Sequence, residues 1–414
     1  METFSIIFLV ALAASLVVQL WLATRHLHHV KQHSAQVPSE FTEKISLEAH
    51  TKAATYTQVK TRYERIGLII GTLLLLIWTL GGALNWLDQF WSGFSYSPLI
   101  TGIAFLLSLI VITTVVDLPM SAYQTFVIEQ RFGFNRTTPG VFFGDLVKQL
   151  LLTLIIGTPL IAVVLWLMGN AGEYWWLYVW AVWTGFGLFM MWAYPAFIAP
   201  LFNKFTPLDE GSLRQRIDNL LTRCGFKSNG IFIVDGSKRS GHGNAYFTGL
   251  GANKRIVFYD TLIESLNEDE IEAVLAHELG HFKRKHIIKR IGLMMFTTLI
   301  GLMALGWLIQ QNWFYSGLGV EQSSIHSALA LFMMVAPVFT FFIAPVSSYF
   351  MRKHEFEADD YAAQQSKAGW LIDALVKMYE ENASTLTPDP LYSAFHDSHP
   401  PASIRIAHLN TQGA

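Results

Sequence analysis

His277-Glu278-Leu279-Gly280-His281 is the stretch that decides most about this chain, because it sets two histidines four positions apart with a glutamate between them. In a helix, positions four apart share one face, so both imidazoles can bind one Zn²⁺ while Glu278 faces a bound water. Asn267 and Glu270 predict a capping box ahead of the motif. Apolar residues then recur at spacings of three and four: Ile271, Val274, Leu275, Leu279 and Phe282. The stretch therefore predicts a helix with a buried face and a metal-binding face. Two histidines that bind zinc and a glutamate beside the bound water indicate the chemistry of a zinc peptidase.

A third protein ligand is needed, because a catalytic zinc site uses three protein ligands and leaves the fourth position to water. In residues 352–360, Glu355 and Asp359 are one helical turn apart. One of them can bind the metal while the other accepts the free N–H of a ligand histidine. Glu357 points elsewhere on the same helix, and His354 is a rival third ligand with no partner one turn on. The competing interpretation is that the histidines decorate a solvated helix and Glu355 belongs to an ordinary charge run.

Composition places this chemistry in a membrane. Hydrophobic residues make up 52% of the 414 residues and charged residues only 14%, against about a quarter in soluble domains. Several apolar runs are long enough to cross a bilayer. There are seven of them: residues 3–24, 66–88, 97–117, 146–169, 174–200, 287–310 and 325–350. The predicted fold class is therefore a mainly α membrane protein with seven transmembrane helices.

The distribution of Lys and Arg predicts the orientation of these spans. The loop at 25–65 contains seven of them, whereas the loops at 89–96, 170–173 and 311–324 contain none. Because positive loops stay in the cytoplasm, the N-terminus is expected outside and the C-terminus inside. The segments 201–286 and 351–414 then lie on the same, cytoplasmic side, as a site shared by His277, His281 and Glu355 requires.

The segment between the fifth and sixth spans predicts a small α+β unit. Leu213, Ile217, Leu220 and Leu221 indicate an amphipathic helix, and residues 231–234 and 255–259 indicate short strands. A further strand near residues 244–247 could lie along the catalytic helix and offer its free edge to an extended peptide, with Asn244, Ala245 and Tyr246 as the substrate-binding residues; an ordinary hairpin strand is the alternative. Cys224 is the single cysteine, which excludes a disulfide framework. The net charge of −2 gives no sign of nucleic-acid binding.

Beyond the histidine motif, several stretches resemble the integral-membrane, zinc-dependent CAAX prenyl endopeptidases of type I and their bacterial relatives. The resemblance covers most of the chain. The stretches are residues 129–135 (EQRFGFN), 200–208 (PLFNKFTPL), 244–247 (NAYF), 254–257 (KRIV), 259–262 (YDTL), 355–359 (EFEAD) and 398–401 (SHPP) with Arg405.

This resemblance implies seven spans enclosing a chamber, with a gluzincin-like zinc peptidase domain at its cytoplasmic end. It implies His277, His281 and Glu355 as ligands of one Zn²⁺, Glu278 as the base and Asp359 as the partner of a ligand. It also implies that His399 and Arg405 lie near the substrate carbonyl oxygen. The expected parts of the chain are an N-terminal bundle (1–200), a catalytic unit (201–286), spans six and seven (287–350) and a C-terminal cytoplasmic part (351–414).

The predicted function is hydrolysis of peptide bonds by a membrane-embedded zinc endopeptidase. Its expected substrates are prenylated C-terminal CAAX peptides or membrane proteins undergoing quality control, and its expected location is a bacterial inner membrane, or the endoplasmic reticulum if the source is eukaryotic. The alternative is a transporter or channel with a regulatory zinc site, for which Asp117 and Asp145 are candidate intramembrane acids. Nucleic acid is not an expected partner, and no feature indicates an oligomeric state.

Overall fold

The computed structural model describes residues 2–248 and 254–412, which form a helical bundle and a small sheet. The helices are α1 (Thr3–Gln32), α2 (Leu47–Trp78), α3 (Ala83–Ser92), α4 (Pro98–Tyr123), α5 (Gln130–Phe132), α6 (Pro139–Leu152), α7 (Thr158–Asn170), α8 (Trp175–Ala193), α9 (Ser212–Cys224), α10 (Asp260–Ser265), α11 (Glu268–Lys283), α12 (His286–Leu308), α13 (Asn312–Ser316), α14 (Ile325–Thr340), α15 (Ala344–Gln365), α16 (Ala368–Glu381), α17 (Pro390–His396) and α18 (Ala402–Gln412). The strands are β1 (Phe205–Pro207), β2 (Ile231–Val234), β3 (Ala245–Thr248) and β4 (Arg255–Tyr259).

Within the described residues, six helical stretches are long and apolar enough to cross a membrane, and a bent helix pair makes a seventh. The six are Thr3–Gln32, Pro98–Phe132, Pro139–Asn170, Gly172–Leu201, His286–Leu308 and Ile325–Gln365. Each contains one of the predicted apolar runs or overlaps it closely. The predicted class, a mainly α membrane protein with up to seven spans, is confirmed.

The second span is not the continuous helix predicted for residues 66–88. α2 ends at Trp78, α3 begins at Ala83, and the two helices are bent by 47°. Gly82 has φ +79°, a conformation that costs glycine little. A Cβ on Gly81 would come within 2.7 Å of the Ile77 carbonyl oxygen. The Gly81-Gly82 pair therefore breaks an apolar run that hydropathy alone treats as uniform.

The loop predicted at 25–65 is largely helical, because α1 extends to Gln32 and α2 already begins at Leu47. Ser46 caps α2 by accepting a hydrogen bond from the Ala49 N–H at 3.1 Å. Both helices therefore continue beyond the apolar part that defined each span.

The last span leads directly into the helix that carries the predicted third ligand. α14, a 3₁₀ turn at Phe341–Ile343 and α15 form one helical stretch from Ile325 to Gln365. Glu355 and Asp359 thus lie on a rigid extension of the bundle and not on a separate surface helix.

The segment after α8 forms the predicted α+β unit. Strands β2 and β4 have the predicted bounds, β3 includes most of the predicted edge segment, and β1 was not predicted. The strand order is β1-β2-β4-β3; β2 and β4 are parallel and the other pairs antiparallel. β3 is therefore an edge strand, with β4 on one side.

Helix α11 lies in the core of this unit. Ile271, Leu275 and Leu279 are 1–2% exposed and pack with apolar residues of α9, β2, β4, α15 and α16. The predicted apolar stripe is confirmed, and its burial leaves the opposite face of α11 for the histidines.

Two adjacent cavities lie between the helices. The first, about 800 Å³, is lined mainly by apolar side chains of α1, α2 and α14. The second, about 620 Å³, is more polar and reaches the C-terminal segment that contains His399. Glu64, Tyr392 and His396 line both, so the two cavities adjoin and together form the predicted chamber.

Candidate metal centre

The N-terminus of α11 is held by the predicted capping box. The Glu270 N–H donates to Asn267 Oδ1 at 3.0 Å, and the Asn267 N–H donates to Glu270 Oε2 at 2.8 Å. Glu268, Asp269 and Glu270 put negative charge at the positive end of the helix dipole. The start of the helix is therefore well defined, and so are the positions of the histidines two and three turns later.

Three side chains with metal-binding atoms converge where α11 faces α15. Nε2 of His277 lies 3.2 Å from Nε2 of His281. Glu355 Oε2 lies 3.5 Å from His277 Nε2, and Glu355 Oε1 lies 3.3 Å from His281 Nε2. Ligand atoms about 2.05 Å from a tetrahedral Zn²⁺ are about 3.3 Å apart, so these side chains fit three corners of such a site. Among the described residues, these three side chains form the group able to hold a metal.

Asp359 is the outer partner of His277. His277 Nδ1 lies 2.8 Å from Asp359 Oδ1, and the Asp359 side chain is fully buried. Because Nδ1 faces this carboxylate, Nε2 is the ring nitrogen left for a metal. Burial and the Arg405 charge both lower the pKa of His277, but hydrogen bonds to Asp359 and Glu355 outweigh them and raise it to about 9.

Arg405 is buried behind His277. Its Nε and Nη2 donate to the two oxygens of Asp359 at 2.9 and 2.5 Å. Its Nη1 lies 3.8 Å from Glu355 Oε2. Arg405 thus holds Asp359 against His277, with Nη1 on the side of the Glu355 carboxylate.

His399 approaches the site from the C-terminal segment. Its Nδ1 lies 2.7 Å from Glu355 Oε2, and its side chain is 63% exposed. It also lines the polar cavity. His399 is therefore the histidine that connects the donor cluster with the space where a substrate can lie.

Glu278 is half-buried between the two histidines. Its carboxylate has no hydrogen bond or ion pair with any residue that the structure describes. It is therefore free to accept a proton from a water held at the donor cluster.

The segment Asn244-Ala245-Tyr246 begins the edge strand β3. Asn244 O accepts a hydrogen bond from the Tyr259 N–H at 2.9 Å, and Ala245 and Tyr246 pair with Phe258 and Val257 of β4. No described strand pairs with the outer side of β3. Its main-chain groups there are available to an extended peptide.

His281 has an outer partner that sequence reasoning missed. Its Nδ1 lies 3.0 Å from Nδ1 of His286, and His286 Nε2 lies 3.0 Å from Glu357 Oε2. Glu357 does point away from the donor cluster, as predicted, but it reaches His281 through His286. The rival ligand His354 instead stacks on His286, with ring centroids 4.0 Å apart. A histidine five residues after the motif was the available signal.

Comparisons with known proteins identify the family of this chain. Residues 26–204 match the model of the CAAX prenyl protease N-terminal region with five membrane helices, and residues 207–412 match the model of peptidase family M48. The chain belongs to peptidase family M48.

Named relatives match about three quarters of this M48 protein or more. A rice protein, CAAX prenyl protease 1 homolog, is 40% identical over 74% of this chain and 72% of its own. The human CAAX prenyl protease 1 homolog is 31% identical over 98% of this chain and 95% of its own. The crystal structure of S. mikatae Ste24p has a TM-score of 0.91 at 30% identity and covers 99% of both chains. The protein is thus a multi-pass membrane metalloendopeptidase, and not the transporter or channel considered as the alternative.

Gly280, inside the histidine motif, lies where α11 packs directly against the backbone of α15. A Cβ on Gly280 would come within 2.9 Å of Ala358 Cα and 3.0 Å of its carbonyl oxygen. These are main-chain atoms, so the helices must separate to admit a methyl group. A larger residue would therefore push α15, which carries Glu355, away from the two histidines of α11.

Gly280→Ala is therefore expected to weaken metal binding although it replaces no ligand. Overpacking of this kind costs about 1–3 kcal/mol. The metal dissociation constant and the unfolding temperature check this expectation. Gly369→Ala is the matched control, because a Cβ there meets nothing within 4 Å in a helix. Equal metal affinity in both variants would show that the close helix crossing is not required.

Proposed function

We propose that this protein is a zinc-dependent endopeptidase that cleaves prenylated C-terminal peptides of the CAAX type. The observation that carries the proposal is the fit of His277, His281 and Glu355 to one tetrahedral ion beside a cavity that is polar at the site and apolar farther away. Two imidazoles and a carboxylate are a donor set typical of catalytic zinc.

The chemistry follows from the positions of the side chains around the donor cluster. A bound zinc ion supplies a Lewis acid that lowers the pKa of water toward about 7 and polarises the substrate carbonyl. Glu278 takes a proton from the attacking water and returns it to the leaving amine. His399, and Arg405 through Nη1, stabilise the negative charge that develops on the carbonyl oxygen.

The edge strand supplies the peptide-binding surface. A substrate in extended conformation adds to the outer side of β3 at Asn244, Ala245 and Tyr246 by main-chain hydrogen bonds. This mode reads little of the substrate sequence, because backbone groups are common to all residues. The selectivity for a lipidated terminus must then come from another part of the chamber.

The apolar cavity is the place for the lipid. Its side chains include Leu12, Leu16, Leu68, Leu75, Met334 and Phe341. A volume of about 800 Å³ lies within the range of roughly 300–1,000 Å³ that holds medium-sized ligands. Since it adjoins the polar cavity with His399, one substrate can place its lipid in the first and its scissile bond near the second.

The cytoplasmic side is the proposed location of the metal centre. Residues 25–65 are rich in Lys and Arg. In the predicted topology they lie on the same side of the membrane as the catalytic unit. The proposed membrane is a bacterial inner membrane, or the endoplasmic reticulum in a eukaryote. Protease protection of tags at the two termini in sealed vesicles would test this orientation.

The test of the substrate is a comparison of a farnesylated peptide with its unlipidated twin. Purified zinc-loaded protein is incubated with each, cleavage is read by mass spectrometry, and Glu278→Gln protein provides the blank. We expect faster cutting of the farnesylated peptide. Equal cutting of both would favour general cleavage of membrane proteins, and no zinc-dependent cutting of either would refute the peptidase proposal.

His399→Ala is expected to lower turnover more than metal content, because His399 contacts a ligand but completes no corner of the donor triangle. Loss of one oxyanion donor costs about 10²–10³ in kcat. Turnover and bound zinc measured on the same preparation check this. His396→Ala is the matched control, since His396 also lines the polar cavity but makes no contact with Glu355. Unchanged kinetics in His399→Ala would leave His399 a purely structural residue.

A further inference from the structure

His286 is the first residue of α12 and lies against the second histidine of the motif. It is 2% exposed. Its two ring nitrogens lie 3.0 Å from His281 Nδ1 and 3.0 Å from Glu357 Oε2. Both nitrogens of a buried ring are thus directed at polar atoms, and neither is left for water.

The hydrogen bonds that link His281 through His286 to Glu357 can run in one direction only. Metal binding uses the Nε2 lone pair of His281, so His281 Nδ1 carries the proton and donates it. His286 Nδ1 must then accept, which leaves the proton of neutral His286 on Nε2, where it is donated to Glu357. The carboxylate at the end of the chain therefore determines the tautomer of both histidines.

We propose that His286 and Glu357 form a positioning pair that sets the ring orientation and tautomer of the metal ligand His281, as Asp359 does directly for His277. This inference rests on the proposed function, because it assigns residues that prepare the donor cluster for zinc. The two imidazole ligands are then held in different ways: Asp359 contacts His277 directly, whereas Glu357 acts on His281 through the ring of His286.

The backbone between α11 and α12 brings His286 to this position. Only Arg284 and Lys285 separate the two helices, and Lys285 adopts φ 57° and ψ 31°. A left-handed lysine is unfavourable and indicates that surrounding contacts hold it. This sharp junction turns α12 back so that its first side chain contacts the last turn of α11.

Packing fixes the ring from its face as well. His354 stacks on His286 with ring centroids 4.0 Å apart and an interplanar angle of 14°. Glu357 lies one turn after His354 on the same helix, so α15 supplies the stacking partner, the terminal carboxylate and the ligand Glu355. One rigid helix therefore sets the geometry of both sides of the centre.

The experiment measures zinc affinity in full-length, detergent-solubilised protein by competition with a chelator. His286→Phe keeps the ring and its stacking but removes both hydrogen bonds. We expect its zinc dissociation constant to rise about 10–100-fold, the range typical for loss of an outer partner. Glu357→Leu should produce a similar loss. Glu357→Gln keeps an acceptor and should lie closer to the wild type.

The absorption spectrum of cobalt(II)-substituted protein is the second readout. His286→Phe should shift its ligand-field bands, because the orientation of one ligand changes, whereas a loss of stability alone would leave the spectrum of the folded fraction unchanged. His354→Phe is the matched control, because it keeps an aromatic ring stacked on His286 and leaves the hydrogen bonds between His281, His286 and Glu357 in place. This variant should match the wild type in zinc affinity and cobalt spectrum.

Three results separate the possible explanations. Affinity within twofold of the wild type and an unchanged cobalt spectrum in His286→Phe would overturn the inference. If His286→Phe does not fold, Glu357→Leu replaces it in the test, because the Glu357 side chain is partly exposed. Unchanged affinity and an unchanged cobalt spectrum in Glu357→Leu would then overturn the inference. A wild-type protein that binds no zinc would instead refute the proposed function.

Discussion

Glu278→Gln protein is expected to keep one equivalent of zinc and to lose nearly all peptidase turnover. Glu278 lies between the ligand histidines on α11, but it belongs to no corner of the donor triangle. A glutamine has the same shape and cannot take a proton from water. Loss of a general acid–base group costs about 10²–10⁴ in rate. Elemental analysis and single-turnover kinetics on one preparation measure both quantities.

The matched control for this variant is Glu268→Gln, a change of the same kind in the first turn of α11. Its carboxylate bonds to Ser212 and lies more than two turns away from Glu278. It should retain both zinc and activity. Wild-type turnover in Glu278→Gln would refute the role of Glu278 as the base.

Glu355→Ala protein, in contrast, is expected to lose the metal itself. Three protein ligands hold a catalytic zinc ion, and the alanine leaves two imidazoles with a buried gap beside them. The substitution also removes the carboxylate that faces Arg405 Nη1 and His399 Nδ1. We expect substoichiometric zinc by elemental analysis and no measurable turnover at micromolar zinc. His281→Ala should behave in the same way.

Asp360→Asn is the control for position on the same helix. Asp360 is partly exposed and pairs with His408 at 2.6 Å, away from the donor cluster. Its loss should leave zinc content unchanged. Stoichiometric zinc in Glu355→Ala would contradict the proposed ligand set and make another side chain, such as His399, the third ligand.

Local sequence signals predicted the elements that carry the site with good accuracy. Asn267 and Glu270 close the capping box as expected, and the apolar stripe of α11 is buried. β2 and β4 have the predicted bounds. Capping and periodicity depend on neighbours within one or two turns, and the printed sequence contains those neighbours.

The errors occurred where distant parts of the chain decide the local structure. Hydropathy treated residues 66–88 as one span, but the tight turn at Gly81-Gly82 divides them into α2 and α3. His286 was not predicted to belong to the site, because its partners His281 and Glu357 meet only where the first residue of α12 lies between α11 and α15. No window of sequence contains these contacts.

By itself, the sequence determined the membrane class, the helix of the histidine motif and its chemistry, because composition, capping and the four-residue spacing are properties of the chain alone. The tertiary structure decided which acids lie beside that motif. Glu355 and Asp359 are more than 70 positions from the histidines in sequence, and only the close crossing of α11 and α15 at Gly280 brings them within bonding distance. It also decided the support of His281, since a buried hydrogen-bond chain requires three helices to meet.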